Sequence, residues 1–272
     1  MTPASAVTAE ELAAALGPLP LSQRAARAHS GGEHARRRTG RGSEFWQYRE
    51  LQPGEASSRI DWRRSARSDD LYVREREEES PLRLLLWRDG SGSMQFSSRP
   101  DLPTKAARTE LLLHALALAV GEAGEAADIL GSPGRAATMG ERLAEIDDAQ
   151  PPIGAAGAGD ITILAGDFLE PDSLADLGAA PAGLLLHIVD PAEADFAYRG
   201  RVRFVAAEAG DPEADVGRAE SMNDRYNAAW TRHLAALDQL AATLNWPLVR
   251  HRTDEDPLNA LDACAAFLRD GG

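Results

Sequence analysis

The distribution of apolar residues changes character at Pro81. Beyond it, short apolar runs recur at 82–88 (LRLLLWR), 126–130 (AADIL), 161–166 (ITILAG), 184–189 (LLLHIV), 202–206 (VRFVA) and 247–251 (PLVRH). Stretches with helical spacing separate most of them, at 104–121, 138–149, 219–244 and 256–269, with a shorter helical turn at 171–178. Near-continuous apolar strands alternating with helices predict a parallel sheet covered on both faces. The expected fold over 81–272 is therefore a doubly wound α/β domain. The helix at 105–120 is apolar nearly all round, which places it in a core.

The chain before Pro81 reads differently. Thr8 and Glu11 fit a capping box that opens the helix EELAAALG, closed by Gly17. Residues 23–43 are rich in Arg and Gly without an apolar period, so 1–43 reads as one helix and a loop. EFWQYREL (44–51) and LYVRERE (71–77) alternate apolar and polar positions as strands do. Between them, Pro53-Gly54 marks a turn, and Ser57 or Ser58 is placed to cap a short helix, RIDWRRSAR, with Asp61 in its first turn. A small β-containing subdomain is expected over 44–80, with Trp46, Tyr48 and Trp62 as anchors packing it on the sheet rather than stacking platforms for bases.

Composition narrows the function classes. A chain of 272 residues buries a sizeable core without staples. The single cysteine, Cys264, rules out an internal disulfide and points to a reducing compartment, the cytoplasm. The longest apolar run, LLLHALALAV at 111–120, is about half of what a membrane span requires, and the first residues lack the basic head and apolar core of a signal peptide. Net charge is -14, unevenly spread: residues 1–76 hold 13 Lys/Arg and 10 Asp/Glu, the remainder 16 and 33. So acidic a body argues against nucleic-acid backbone binding, which needs clustered cations.

The candidate chemistry lies in WRDGSGSM (87–94), where the most apolar strand ends. Doubly wound sheets gather function where strands end at a topological switch point. Asp89, Ser91 and Ser93, separated by the small Gly90 and Gly92, can face a common centre, which suits a hard cation taking oxygen ligands, such as Mg²⁺. The loop is no P-loop, having no lysine before Lys105, and no G-x-S-x-G elbow, since Gln95 stands two residues after Ser93. A serine hydrolase using Ser91 or Ser93 with His251, oriented by Asp254, is the alternative, and a capped polar turn is the plain structural reading.

Asp89-x-Ser91-x-Ser93 resembles the D-x-S-x-S motif of von Willebrand factor A domains, the metal-ion-dependent adhesion site. The stretch GSEFWQYRELQPGEASSRIDWRRSARSDDLYVRERE is similar, more specifically, to the N-terminal signature of DUF58 proteins. Its matching parts are Tyr48-Arg49, Pro53-Gly54-Glu55, Ile60-Asp61-Trp62, Ser65-Ala66-Arg67 and Val73-Arg74-Glu75. RAESMNDRY and HRTDEDPLNAL resemble the same family's closing helix and last strand–helix unit. The resemblance implies a von Willebrand A-like fold, Mg²⁺ or another divalent cation at Asp89, Ser91 and Ser93, and a second aspartate at Asp167. Gly166 stands where the family usually has a hydroxyl residue. Thr138 is the nearest candidate for a loop threonine ligand and fits a helix N-cap equally well.

The resemblance further implies a non-enzymatic adaptor working with a MoxR-type AAA+ ATPase in chaperone-like assembly. Arg59, Arg63, Arg64 and Arg67, at helical spacing, fit two roles: docking an acidic partner, or pairing with the chain's own acids, among them EREEE at 75–79.

Overall fold

The computed structural model describes residues 7–21, 39–50, 60–66, 71–77, 82–131, 138–152, 154, 156–157, 160–171, 174, 182–205 and 213–270. The chain divides into two compact units, one of residues 32–81 and one combining 1–31 with 82–272.

In the smaller unit, β1 (Thr39–Glu50) pairs antiparallel with β2 (Tyr72–Glu77), placing Glu50 opposite Tyr72 and Tyr48 opposite Arg74. Between them lies one turn of helix, α2, Trp62–Ser65, the second described helix of the chain. Asp61 caps it, accepting from the Arg64 backbone N–H at 3.0 Å. This is a correction to the expected serine cap: Asp61 stands one residue outside the helix, and Ser57 and Ser58 lie outside the described residues. Ser65 Oγ donates to the Asp61 carbonyl and accepts from the Tyr72 N–H, tying the turn to β2. Trp62, expected as a packing anchor, is 62% exposed; the side chains of Trp46 and Tyr48 lie outside the description.

The larger unit is built on β3 (Arg83–Arg88), β4 (Ala126–Ile129), β5 (Asp160–Gly166), β6 (Gly183–Val189) and β9 (Leu248–Arg252). They form one sheet in the order β4-β3-β5-β6-β9, every neighbouring pair parallel. The doubly wound α/β expectation holds. Alternation along the strands feeds two cores. Leu84, Leu86, Ile161, Ile163, Leu184 and Leu186 join one cluster with the chain's first helix, α1 (Ala9–Leu16), α3 (Lys105–Glu122) and α7 (Pro257–Asp270). Leu85, Trp87, Leu164 and Leu185 join the other, with Leu237 and Ala241 of α6 (Asn223–Leu244). A strand with both faces buried reads as a continuous apolar run because each face has its own core. Cys264 sits wholly inside the first cluster, where burial pushes its thiol up to about 12, so it packs as a small apolar residue.

Two elements differ from expectation. The run at 202–206 does not enter the main sheet: β7 (Val202–Phe204) pairs antiparallel with β8 (Ala214–Val216) in a separate ribbon. Only alternate positions of a strand so short meet apolar neighbours, which its sequence does not distinguish from a central strand. The helix expected at 138–149 is α4, Met139–Ala144, and stops early. Of 171–178, only residues 171 and 174 are described. A helix not expected, α5 (Pro191–Asp195), follows β6 and carries a D-P-A-E capping box on Asp190 and Glu193. Among the described residues no helix is long and apolar enough to cross a membrane.

Candidate functional site

From β3 the chain crosses to β4 on one side and then to β5 on the other, which makes the β3–β5 boundary a topological switch point. Asp89 and Asp167 emerge there, each directly after its strand, and Asp190 follows β6 next door. The Asp89 N–H donates to the Ala165 carbonyl at 2.8 Å, carrying the pairing one residue beyond the strand. A buried guanidinium fixes the same backbone. Arg88 donates from Nη1 to the Asp89 carbonyl (3.0 Å), from Nε to that of Leu143 (2.7 Å) and from Nη2 to that of Ala144 (2.9 Å). It thereby joins the strand end to the carbonyl end of α4, where a helix's last acceptors need donors. Two glycines permit the close approach. A β-carbon on Gly90 would stand 2.4 Å from the Asp147 carbonyl carbon, and one on Gly166 would stand 2.7 Å from Asp89 Cβ.

The side chains form one continuous hydrogen-bonded run. Asp89 Oδ1 accepts from the Ser91 N–H at 2.8 Å, Ser91 Oγ lies 2.9 Å from Ser93 Oγ, and Ser93 Oγ donates to Asp167 Oδ2 at 2.6 Å. The same Asp167 oxygen accepts from Lys105 Nζ at 2.8 Å. Lys105, the first residue of α3, is fully buried, and its ammonium also donates to Glu193 Oε1. Glu193 serves two partners, since its other oxygen accepts the Asp190 N–H in the capping box of α5. Asp190 also reaches back, accepting from the Ser98 N–H at 2.9 Å. The turn that delivers Asp167 places Phe168 in the left-handed region at φ 49, a conformation that costs a non-glycine residue about 1–2 kcal/mol.

The charges respond to this setting. Burial pushes the Asp89 carboxyl above its ordinary range, partly countered by the Ser91 donors. Burial works against the Lys105 ammonium, but Asp167 and Glu193 outweigh it and hold its pKa above the ordinary lysine value. Burial raises Glu193 in spite of its lysine partner.

The sequence thus brings together Asp89, Ser91, Ser93 and Asp167, four of the five residues expected to serve a metal. Thr138 is elsewhere in role: exposed, it caps α4, its hydroxyl accepting from the Glu141 N–H at 3.3 Å and donating to the Glu141 carboxylate. Asp167 and Glu193 are committed to an ammonium, and among the described residues no group of three or more His, Cys, Asp or Glu side chains is set to hold a metal. His251 does not activate either serine. Its Nε2 lies 3.3 Å from Arg108 Nη1, its ring is buried, and burial pulls it down to about 4. Of the arginines, Arg63 and Arg64 are exposed, and the Arg64 guanidinium lies 5.3 Å from the Tyr72 ring centre; Arg59 and Arg67 lie outside the described residues.

Residues 47–139 match the family model described as "Protein of unknown function DUF58". The DUF58 match takes in Asp89, Ser91, Ser93 and Lys105, and ends before Asp167 and Glu193. No curated protein matches the chain, and no solved structure does.

Sequence reasoning missed Lys105, Glu193 and Arg88. Each left a trace. A lysine opening a helix opposes the macrodipole, which favours acids in the first turn. D-P-A-E is a capping-box pattern with proline at the first helical position. An arginine closing an otherwise apolar strand has to be paired if it is buried.

Proposed function

We propose that the chain is a non-enzymatic, cytoplasmic protein-interaction module of von Willebrand A-like build, docking a partner at the carboxyl rim of its sheet. The observation that carries this reading is the state of Ser91 and Ser93. Both are half-buried at the rim and bonded to each other, and Ser93 donates onward to Asp167. A serine hydroxyl becomes a useful nucleophile when an adjacent base takes its proton. Here the serine pair ends on a carboxylate that is itself neutralised by Lys105, an arrangement that stiffens a surface rather than arming it. The DUF58 resemblance supplies the partner class, a MoxR-type AAA+ ATPase, and the role, adaptor in chaperone-like assembly.

Capture of a purified MoxR-type ATPase on the full chain tests the reading. The unaltered chain should retain the ATPase, and Ser91→Ala with Ser93→Ala should lower recovery roughly tenfold, the scale of one or two lost interfacial hydrogen bonds. Equal recovery from a doubly substituted chain with an unchanged circular dichroism spectrum overturns the rim as the docking surface. A fluorophosphonate probe should label neither serine.

A further inference from the structure

We infer that Lys105 supplies from within the chain the positive charge that a D-x-S-x-S turn otherwise takes from a divalent ion, so that the rim is organised without metal. Three observations carry this. The first is position: Nζ lies 2.8 Å from Asp167 Oδ2, the oxygen that also accepts from Ser93, so the ammonium joins the serine run through a single shared atom. It is an internal counter-ion for Asp167 and Glu193 at once.

The second is cost. A fully buried ammonium is retained only when well paired, and Lys105 further stands at the positive end of α3, where the helix dipole opposes it. Two carboxylates offset both penalties. A lysine with no function in this charge balance would turn its flexible chain outward to water.

The third is the fate of the remaining candidate ligands. Thr138 is committed to its capping box with Glu141, and Asp89 Oδ1 accepts from the Ser91 backbone N–H at 2.8 Å. A divalent ion brought to Asp167 would meet the Lys105 ammonium bonded to the same oxygen, and like charges at such separations repel strongly outside bulk water. Lys105 is therefore a positioning residue: it holds Asp167, and through Asp167 it holds Ser93. Ser93 in turn meets Ser91. It plays this part whichever partner the rim meets.

The experiment uses the full chain and Mn²⁺ as probe, read by the electron paramagnetic resonance of free ion in a titration. The unaltered chain should show no one-to-one site at Asp167. Lys105→Ala removes the ammonium and leaves Asp167 and Glu193 facing the space it occupied, an oxygen set of the kind that takes Mg²⁺ or Mn²⁺. That variant should bind Mn²⁺ at least about tenfold more tightly than the unaltered chain, by the removal of one nearby positive charge. Addition of Mn²⁺ should also raise its Tm, which binding to the folded form alone produces.

Two results overturn the inference. One is a one-to-one Mn²⁺ site in the unaltered chain that disappears in Asp167→Asn. The other is a folded Lys105→Ala chain that binds Mn²⁺ no better than its parent. Should Lys105→Ala fail to fold, the titration of the unaltered chain with its Asp167→Asn control still decides. Failure to capture the ATPase would leave this outcome untouched, because no partner takes part in it.

Discussion

Gly166 and Asp89 face each other across the β3–β5 boundary so closely that a β-carbon on Gly166 would stand 2.7 Å from Asp89 Cβ and 3.2 Å from Asp89 Oδ2. The two strands are direct neighbours, with Arg88 paired to Ala165, so neither backbone can withdraw without breaking the ladder. The absence of a side chain at 166 is what allows the Asp89 carboxyl to lie over the end of β5.

Gly166→Ser, which would restore the hydroxyl expected at this place from the family resemblance, should therefore destabilise the chain. Overpacking of this kind costs about 1–3 kcal/mol, which lowers Tm by several degrees in a domain of this size. Thermal unfolding followed by circular dichroism reads it directly. An unchanged Tm would mean that Asp89 moves aside freely.

Arg88 offers a second test. Its guanidinium satisfies three carbonyls that belong to the strand end and to the end of α4, and its side chain is 4% exposed. Lysine keeps the charge but presents a single ammonium in place of a planar fork. Arg88→Lys should leave one or more of the Leu143, Ala144 and Asp89 carbonyls without a donor, at about 1–3 kcal/mol each for groups this well buried. A lowered urea midpoint with an unchanged slope is the expected signature; equal midpoints would show that α4 is held by other means.

The third prediction concerns pH. His187 on β6 is buried among Phe168, Trp230 and His233, with neither ring nitrogen bonded among the described residues, and burial pulls it down to about 3. His251 on β9 is pulled down to about 4 by burial and by Arg108. Both imidazoles bind protons more readily in the unfolded chain, whose histidines titrate near 6.5. Stability is thus fully present above about pH 6.5 and falls as the pH drops through the window towards those lowered values. At pH 5 each histidine should cost about 2 kcal/mol relative to pH 7.5. Asp89 and Glu193, raised by burial, act in the opposite sense, so His187→Phe is the discriminating variant. Its loss of stability between the two pH values, measured by urea unfolding, should be smaller than that of the unaltered chain by about 2 kcal/mol. An identical loss in both would place the titrating group elsewhere.

Much of the fold was legible because the cause was local or periodic. The capping box at Thr8 and Glu11 forms as expected, since one turn of backbone settles it. The strands at 82–88, 161–166 and 184–189 lie within a residue or so of their apolar runs, because burial on both faces leaves no polar positions to blur the ends. VRFVA resembles those runs in composition, yet it pairs with 214–216, and only the course of the chain in space separates the two outcomes.

The candidate site divides the same way. Asp89, Ser91 and Ser93 were found together because small residues within one turn can converge only on one another. Asp167 came through the family resemblance, which implies a second aspartate at the end of the central strand. Lys105 and Glu193 stand 88 residues apart in the chain, and their meeting is set by α3 and α5 starting at the same rim of the sheet.

By itself, then, the order of residues determined the alternating strands and helices, the turn at Asp89 and the likeness of residues 47–139 to the DUF58 model, since each rests on interactions between near neighbours or on a pattern written along the chain. The tertiary structure alone decided which charge balances those oxygens. Burial makes an unpaired ammonium prohibitive, and only packing can reveal that Lys105 is buried and that Asp167 and Glu193 are the carboxylates within its reach.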